Sequence, residues 1–216
     1  MLLQLCAIGK DFGTESILKD VTLTLERGQS LAVVAPSGAG KSTLLSIAGL
    51  LLEPSEGTLL IDGEDAAQLN DNARSVLRAE KIGFLFQHTQ LIGALRASEN
   101  ASVPANFIHT PSRRMSVADR TKRAKELLGG LGLEDRLHHY PYQLSVGQKR
   151  RVATARALFL DPPLVIADEP TNDLDAENAR IVTDALFGRV LSGEAALLYA
   201  THDESLAARA DRVLAL

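Results

Sequence analysis

Leu31-Ala32-Val33-Val34-Ala35-Pro36-Ser37-Gly38-Ala39-Gly40-Lys41-Ser42-Thr43 runs from unbroken apolar residues through a turn of small ones into a helical pattern. Four consecutive apolar residues suit a strand buried on both faces of a parallel sheet. The small residues that follow let the backbone wrap closely around an anion, so that successive amide N–H groups point inward. The helix that opens at Lys41 adds its positive end. In such a phosphate-binding loop Lys41 supplies a point charge for β- and γ-phosphates and Ser42 a hydroxyl ligand for Mg²⁺. Pro36, Ser37, Gly38, Ala39, Gly40, Lys41, Ser42 and Thr43 are therefore the candidate nucleotide contacts. The usual pattern, G-x-x-x-x-G-K-[ST], has Ala35 in place of its first glycine. That position ends the strand, where a negative φ is expected and alanine costs little.

Outward from this loop, four more apolar runs read as buried strands: Ile82-Gly83-Phe84-Leu85-Phe86, Leu164-Val165-Ile166-Ala167, Ala196-Leu197-Leu198-Tyr199-Ala200 and Val213-Leu214-Ala215-Leu216. Helical patterns lie at Lys41 to Leu52, Val117 to Leu131, Val146 to Leu160 and Ala176 to Leu191. Alternating strands and helices predict an α/β fold with a mainly parallel sheet. Leu3 and Leu5, then Val21, Leu23 and Leu25, instead alternate at period two and predict a small antiparallel β subdomain near the N-terminus. Residues 88–160 carry helices and turns without a core strand, as expected of a helical subdomain inserted into the core of a single domain spanning 1–216. Within it, Asn100 to Ser116, with Pro104 and Pro111, predicts a surface connection.

Composition narrows the classes of function. Of 216 residues, 45% are hydrophobic and 23% charged, the balance of an ordinary globular chain rather than a disordered one. The formal charge of −4 argues against nucleic acid as a partner, since phosphate contacts need a basic surface. The longest uncharged stretch, Ile82 to Leu95, has 14 residues. A spanning helix needs about 20 apolar ones. Met1-Leu2-Leu3-Gln4-Leu5 lacks the basic leader of a secretory signal, so a cytoplasmic location is expected. Cys6 stands alone, without a disulfide or thiolate-metal partner, and is expected as a small buried side chain of the first strand.

Leu144-Ser145-Val146-Gly147-Gln148 precedes Lys149-Arg150-Arg151-Val152-Ala153-Thr154-Ala155-Arg156-Ala157-Leu158. Ser145 can cap this helix while its hydroxyl and the neighbouring N–H groups face an anion. The string resembles the signature of ATP-binding-cassette (ABC) ATPases, usually Leu-Ser-Gly-Gly-Gln before a basic, alanine-rich helix. Val146 replaces the first signature glycine, and its β-branch restricts the backbone there.

The resemblance extends in order along essentially the whole chain and implies the P-loop ABC ATPase fold. Leu164-Val165-Ile166-Ala167-Asp168-Glu169-Pro170-Thr171 resembles the family's Walker B strand, in which Asp168 would hold Mg²⁺ and Glu169 would be the general base. Asn172-Asp173-Leu174-Asp175 corresponds to the D-loop, with Asp175 facing the partner subunit. Gln87 takes the place of the Q-loop glutamine that reads Mg²⁺ and water, and His202 that of the switch histidine on the γ-phosphate. Phe12 occupies the place of the aromatic that stacks on adenine. Ser145, Gly147 and Gln148 would meet the nucleotide bound to the other subunit.

The resemblance thus implies ATP and Mg²⁺ as cofactors, hydrolysis of ATP, and a homodimer closed by ATP. Its partner would be a separate transmembrane permease, with membrane contact through that permease only, at the inner face of the cell membrane. Coupling would run through Gln87 and the segment His88 to Asn100. Ile82 to Gln87 and Ala97-Ser98-Glu99-Asn100 look like lipoprotein-release and macrolide-efflux cassettes. Tyr140-Pro141-Tyr142-Gln143-Leu144 is shared with amino-acid importers, so an importer cassette, or a slowly hydrolysing ABC ATPase outside transport, stays open.

Overall fold

A computed structural model of the chain describes residues 1–36, 38–108, 110 and 114–216. Strands β1 (Leu3–Phe12) and β2 (Glu15–Leu25) form a hairpin, followed by β3 (Ser30–Val34), α1 (Lys41–Ala48), β4 (Glu56–Ile61) and β5 (Glu64–Asp65). Next come α2 (Asp71–Lys81), β6 (Ile82–Leu85), α3 (Ala97–Ser102), α4 (Val117–Gly130) and α5 (Val146–Leu158). The last elements are β7 (Leu164–Asp168), α6 (Ala176–Leu191), β8 (Ala196–Ala200), α7 (Glu204–Ala207) and β9 (Arg212–Ala215).

Two sheets result. The antiparallel one has the order β2-β1-β4-β5, and the parallel one β6-β7-β8-β3-β9. Strand alternation divides the parallel sheet's side chains between two cores. Leu31, Val33, Ile166 and Leu198 pack toward α1 and the antiparallel sheet. Ala32, Val165, Leu197 and Tyr199 pack toward α6. A third core joins α3, α4 and α5 through Ala101, Leu128, Val152 and Phe159. Helix α5 belongs to two of them, because Ala153, Ala157 and Leu158 on another of its faces lie in the α6 core. Every regular element described between residues 88 and 160 is helical.

Several expectations need correction. Cys6 is exposed, because β1 turns Leu3 and Leu5 inward and Cys6 to the opposite face, just before an irregularity at Ala7 (φ 52°). The last strand is not doubly buried: β9 is an edge strand with Val213 54% exposed. The first helix stops at Ala48 instead of Leu52, since Leu50 turns left-handed at φ 57°. Asn100 to Phe107 is helical, ending in a 3-10 turn over Val103–Phe107, and Pro104 sits where a helix start tolerates proline. Pro111 lies outside the described residues. Helix α2 is not among the helical patterns read above: its apolar face is short, Ala73, Val76 and Leu77 with only Leu77 buried, and the Asn70 side chain caps its start.

Candidate active site

The phosphate loop bridges β3 and α1. Gly38 (φ 85°) and Gly40 (φ 94°) adopt left-handed backbone, and a Cβ on Gly40 would fall 2.8 Å from the Leu18 side chain. Ala35 keeps a negative φ, as expected from its place at the strand end. Ser37 lies outside the described residues. Among the described helices of eight residues or more, α1 alone lacks a side-chain cap; Asn70, Ser116, Ser145 and Asp175 cap α2, α4, α5 and α6. The leading amides of α1 are thus left for a ligand with negative charge. Phe12, 51% exposed, lines a shallow cavity together with Ile17, Gly38, Gly40, Lys41, Ser42 and Thr43. The Lys10 ammonium lies 5.1 Å from the Phe12 ring centroid.

Lys41 is buried, and its ammonium donates to the Ala35 carbonyl at 2.7 Å, with Glu169 Oε1 at 3.9 Å. Parallel pairing of β3, β8 and β7 brings the strand ends together, so Asp168 and Glu169 emerge beside the loop. Glu169 has φ 45°, an unusual conformation for a residue with a Cβ, held by its N–H bond to the Ala200 carbonyl at 3.0 Å. Strain of this kind costs about 1 kcal/mol or more and persists where surrounding structure imposes it. Glu169 Oε2 accepts from His202 Nδ1 at 2.9 Å and from the His202 amide at 3.3 Å. A carboxylate oxygen accepts, so Nδ1 is the donor of this bond, and Nε2 of the exposed ring has no partner among the described residues.

The Ser42 hydroxyl lies beside the Asp168 carboxylate and favours its charged form, and Asp168 Oδ1 is buried without a hydrogen-bond partner among the described residues. An orphaned carboxylate oxygen beside a hydroxyl fits a hard cation that draws its remaining ligands from water and phosphate. No group of three His, Cys, Asp or Glu residues that could cage a metal occurs among the described residues. Burial raises the Asp168 carboxyl above its ordinary pKa; the Ser42 hydroxyl opposes this, Glu169 adds to it, and Lys41 and Arg150 oppose it. The folded chain therefore binds this proton more tightly than the unfolded one, and stability falls as pH rises through the folded pKa. Asp168→Asn is expected to raise the melting temperature at pH 7 in chelator without nucleotide. The gain should vanish as pH falls below the ordinary value of 3.8. Thermal melts across pH check this, and an unchanged or lower melting temperature at pH 7 would refute it.

The signature residues stand elsewhere. Ser145 caps α5, accepting from the Gln148 amide at 3.2 Å, while Gln148 Oε1 accepts from the Ser145 amide at 3.0 Å. Val146 takes up ordinary helical backbone with its side chain 59% exposed, so the β-branch imposes no strain. Gly147 lies against α6, where a Cβ would fall 2.5 Å from the Asn178 side chain. Asn178 in turn donates to Asp175, the cap of α6, at 2.7 Å. No hydrogen bond or ion pair links Ser145, Gly147, Gln148 or Asp175 to Lys41, Ser42, Asp168, Glu169 or His202 among the described residues.

Gln87 is exposed just past β6, and its side chain forms no hydrogen bond among the described residues. Its carbonyl accepts from Arg150, a role that nothing in the local pattern of a basic helix marks. Asn100 was likewise missed as a structural anchor. Fully buried, it accepts from the Ile92 amide and donates to the Ile92, Leu95 and Arg96 carbonyls, which shapes the segment after Gln87.

A parallel sheet with a helix-opening phosphate loop, and a carboxylate pair and a histidine at adjoining strand ends, define a P-loop nucleotide-binding cassette. The chain belongs to the ABC transporter family, whose pattern it matches over residues 18–172. It is 46% identical over 200 residues to the lipoprotein-releasing system ATP-binding protein LolD 1 of Caulobacter vibrioides, covering 93% of this chain and 84% of that one. It is 41% identical over 222 residues to LolD of Shewanella oneidensis, covering 100% and 94% of the two chains. The fold superposes with a TM-score of 0.92 on the ATP-binding cassette MJ0796, solved as a dimer in a post-hydrolysis state with ADP and Pi. That match covers 100% of this chain and 94% of MJ0796 at 37% identity. No described helix is long and apolar enough to cross a membrane.

Proposed function

We propose that this chain is the ATP-binding and ATP-hydrolysing subunit of a lipoprotein-release type ABC transporter, acting as one cassette over residues 1–216 with residues 88–160 as its helical subdomain. The observation that carries the reading is the convergence of Lys41, Ser42, Asp168, Glu169 and His202 on one loop at the ends of β3, β7 and β8. Phe12 would stack on adenine, and the amides of residues 36–43 would cradle the phosphates with Lys41. Ser42 and Asp168, with Gln87, would hold Mg²⁺, which would supply neutralisation of phosphate charge. Glu169 would take the proton of the attacking water, and His202 Nε2 would face the γ-phosphate. Most of the acceleration then comes from positioning and fixed charge.

Separation of the signature from the loop within one chain supports a homodimer, in which Ser145, Gly147, Gln148 and Asp175 of each copy complete the other's site. An isologous two-fold pair satisfies this twice. Ser145→Ala tests it in two measurements. Loss of the helix cap is expected to cost about 1 kcal/mol of stability. Hydrolysis is expected to fall by more than about tenfold, since the hydroxyl also serves transition-state charge in the neighbouring site. A rate loss no larger than the stability loss explains would refute the role between subunits.

The relatives' names favour the lipoprotein-release reading over an importer. A separate transmembrane permease would then dock near Gln87 and residues 88–100, and would hold the chain at the inner face of the membrane. Tagged protein isolated from its native membranes is expected to bring an integral membrane permease with it. Recovery of soluble partners alone would overturn the transport reading.

A further inference from the structure

Helix α5 begins at the signature and passes beneath the segment that follows β6. Two of its arginines, six residues apart, grip that segment by its backbone. Arg150 donates Nη1 to the Phe86 carbonyl at 2.8 Å and Nη2 to the Gln87 carbonyl at 2.6 Å. Arg156 donates Nη1 to the Gln90 carbonyl at 2.8 Å and Nη2 to the Thr89 carbonyl at 2.7 Å. Arg150 is 4% exposed and carries no ion pair among the described residues. A buried guanidinium spent on two carbonyls is costly unless both bonds are made, and its planar fork matches two neighbouring acceptors as lysine or glutamine cannot. Its charge also faces Asp168 and Asp173.

We propose that Arg150 is the positioning residue for Gln87: its fork fixes the backbone on which Gln87 stands and ties that backbone to the signature helix, so that the two ends of the active site move together. Gln87 is exposed and has no side-chain bond of its own among the described residues, so its reach toward the phosphate loop depends on where its backbone is held. Arg156 holds the next two carbonyls and extends the seam. The proposal rests on the ATPase reading and on Gln87 taking part in it.

Arg150→Gln in the full chain is the test, with Arg150→Lys as the variant that keeps the charge and Arg123→Gln as a control. Arg123 binds the Phe159 carbonyl and Asp161 at the far end of α5, so its loss loosens helix packing without touching the Gln87 segment. Arg150→Gln should lower kcat by about tenfold with KM for ATP within twofold, as expected of a misplaced group rather than lost binding. Arg150→Lys, able to reach one carbonyl, should fall between. Amide hydrogen exchange should rise at residues 86–90 in both Arg150 variants and not in the control.

Gln87→Ala should lower kcat as well, and adding Arg150→Gln to it should lower kcat little further, because the arginine acts through Gln87. If Gln87→Ala hydrolyses at the normal rate, the reading of Gln87 fails, and the positioning proposal with it. If Gln87→Ala is slow while Arg150→Gln and Arg150→Lys hydrolyse normally, the ATPase reading stands and the proposal is overturned. Exchange that rises equally across the whole helix, or fully additive losses, would also overturn it.

Discussion

Glu169→Gln is expected to lower ATP hydrolysis about a thousandfold, in the range that loss of a positioned general base produces. The substitution keeps the shape of the side chain, and an amide oxygen can still accept from His202. What it removes is the proton acceptor and the negative charge that faces Lys41 at 3.9 Å. Nucleotide binding should survive, because the loop amides and Lys41 would hold phosphate independently of Glu169. With binding intact and turnover blocked, the ATP-closed dimer should accumulate and elute as a dimer on size exclusion with ATP. Phosphate release measured beside elution volume separates the two effects. A variant that retains more than about a tenth of the normal rate would remove Glu169 from the role of general base.

Gly83→Ala is expected to be the most destabilising single methyl in the parallel sheet. A Cβ at Gly83 would lie 2.0 Å from the Ala157 carbonyl oxygen and 2.7 Å from Pro162 Cγ. The obstacle is backbone of α5, which cannot rotate away as a side chain would, so β6 and α5 must separate. Overpacking against such a wall costs about 3 kcal/mol. For a chain of this size that lowers the melting temperature by roughly 8 °C. Because β6 leads directly into Gln87, hydrolysis should fall too. Gly93→Ala is the control: among the described residues no atom approaches its Cβ position within 4 Å, and the glycine is exposed. Its melting temperature should stay close to that of the unaltered chain. Equal melting temperatures for the two variants would refute the packing argument.

Burial that follows chain-local pattern was legible in the sequence. Leu31 to Val34, Leu164 to Ala167 and Ala196 to Ala200 are continuous apolar runs because each is covered on both faces. The cap at Ser145 was legible for the same reason, since the acceptor and its donor lie three residues apart. Helix α2 was less legible, because its apolar stripe is confined to Ala73, Val76 and Leu77 within an otherwise polar segment. Exposure of Cys6 and Val213 was not legible. Each depends on which sheet face or edge the chain presents, and two different faces can carry the same residue types.

The phosphate loop, the strand that feeds it and the order of the motifs were determined by sequence alone, because their chemistry depends on residues adjacent in the chain. The small residues before Lys41 admit one kind of turn, and the unbroken apolar run before them admits one kind of sheet. Tertiary structure decided how those motifs cooperate. It placed Glu169 between Lys41 and His202, left an Asp168 oxygen buried and unpaired among the described residues, and turned two arginines of a basic helix inward onto the Gln87 segment. Such relations join residues up to 128 positions apart, between Lys41 and Glu169, and parallel pairing of the strands is what brings them within a few ångströms. A local pattern carries no record of that pairing.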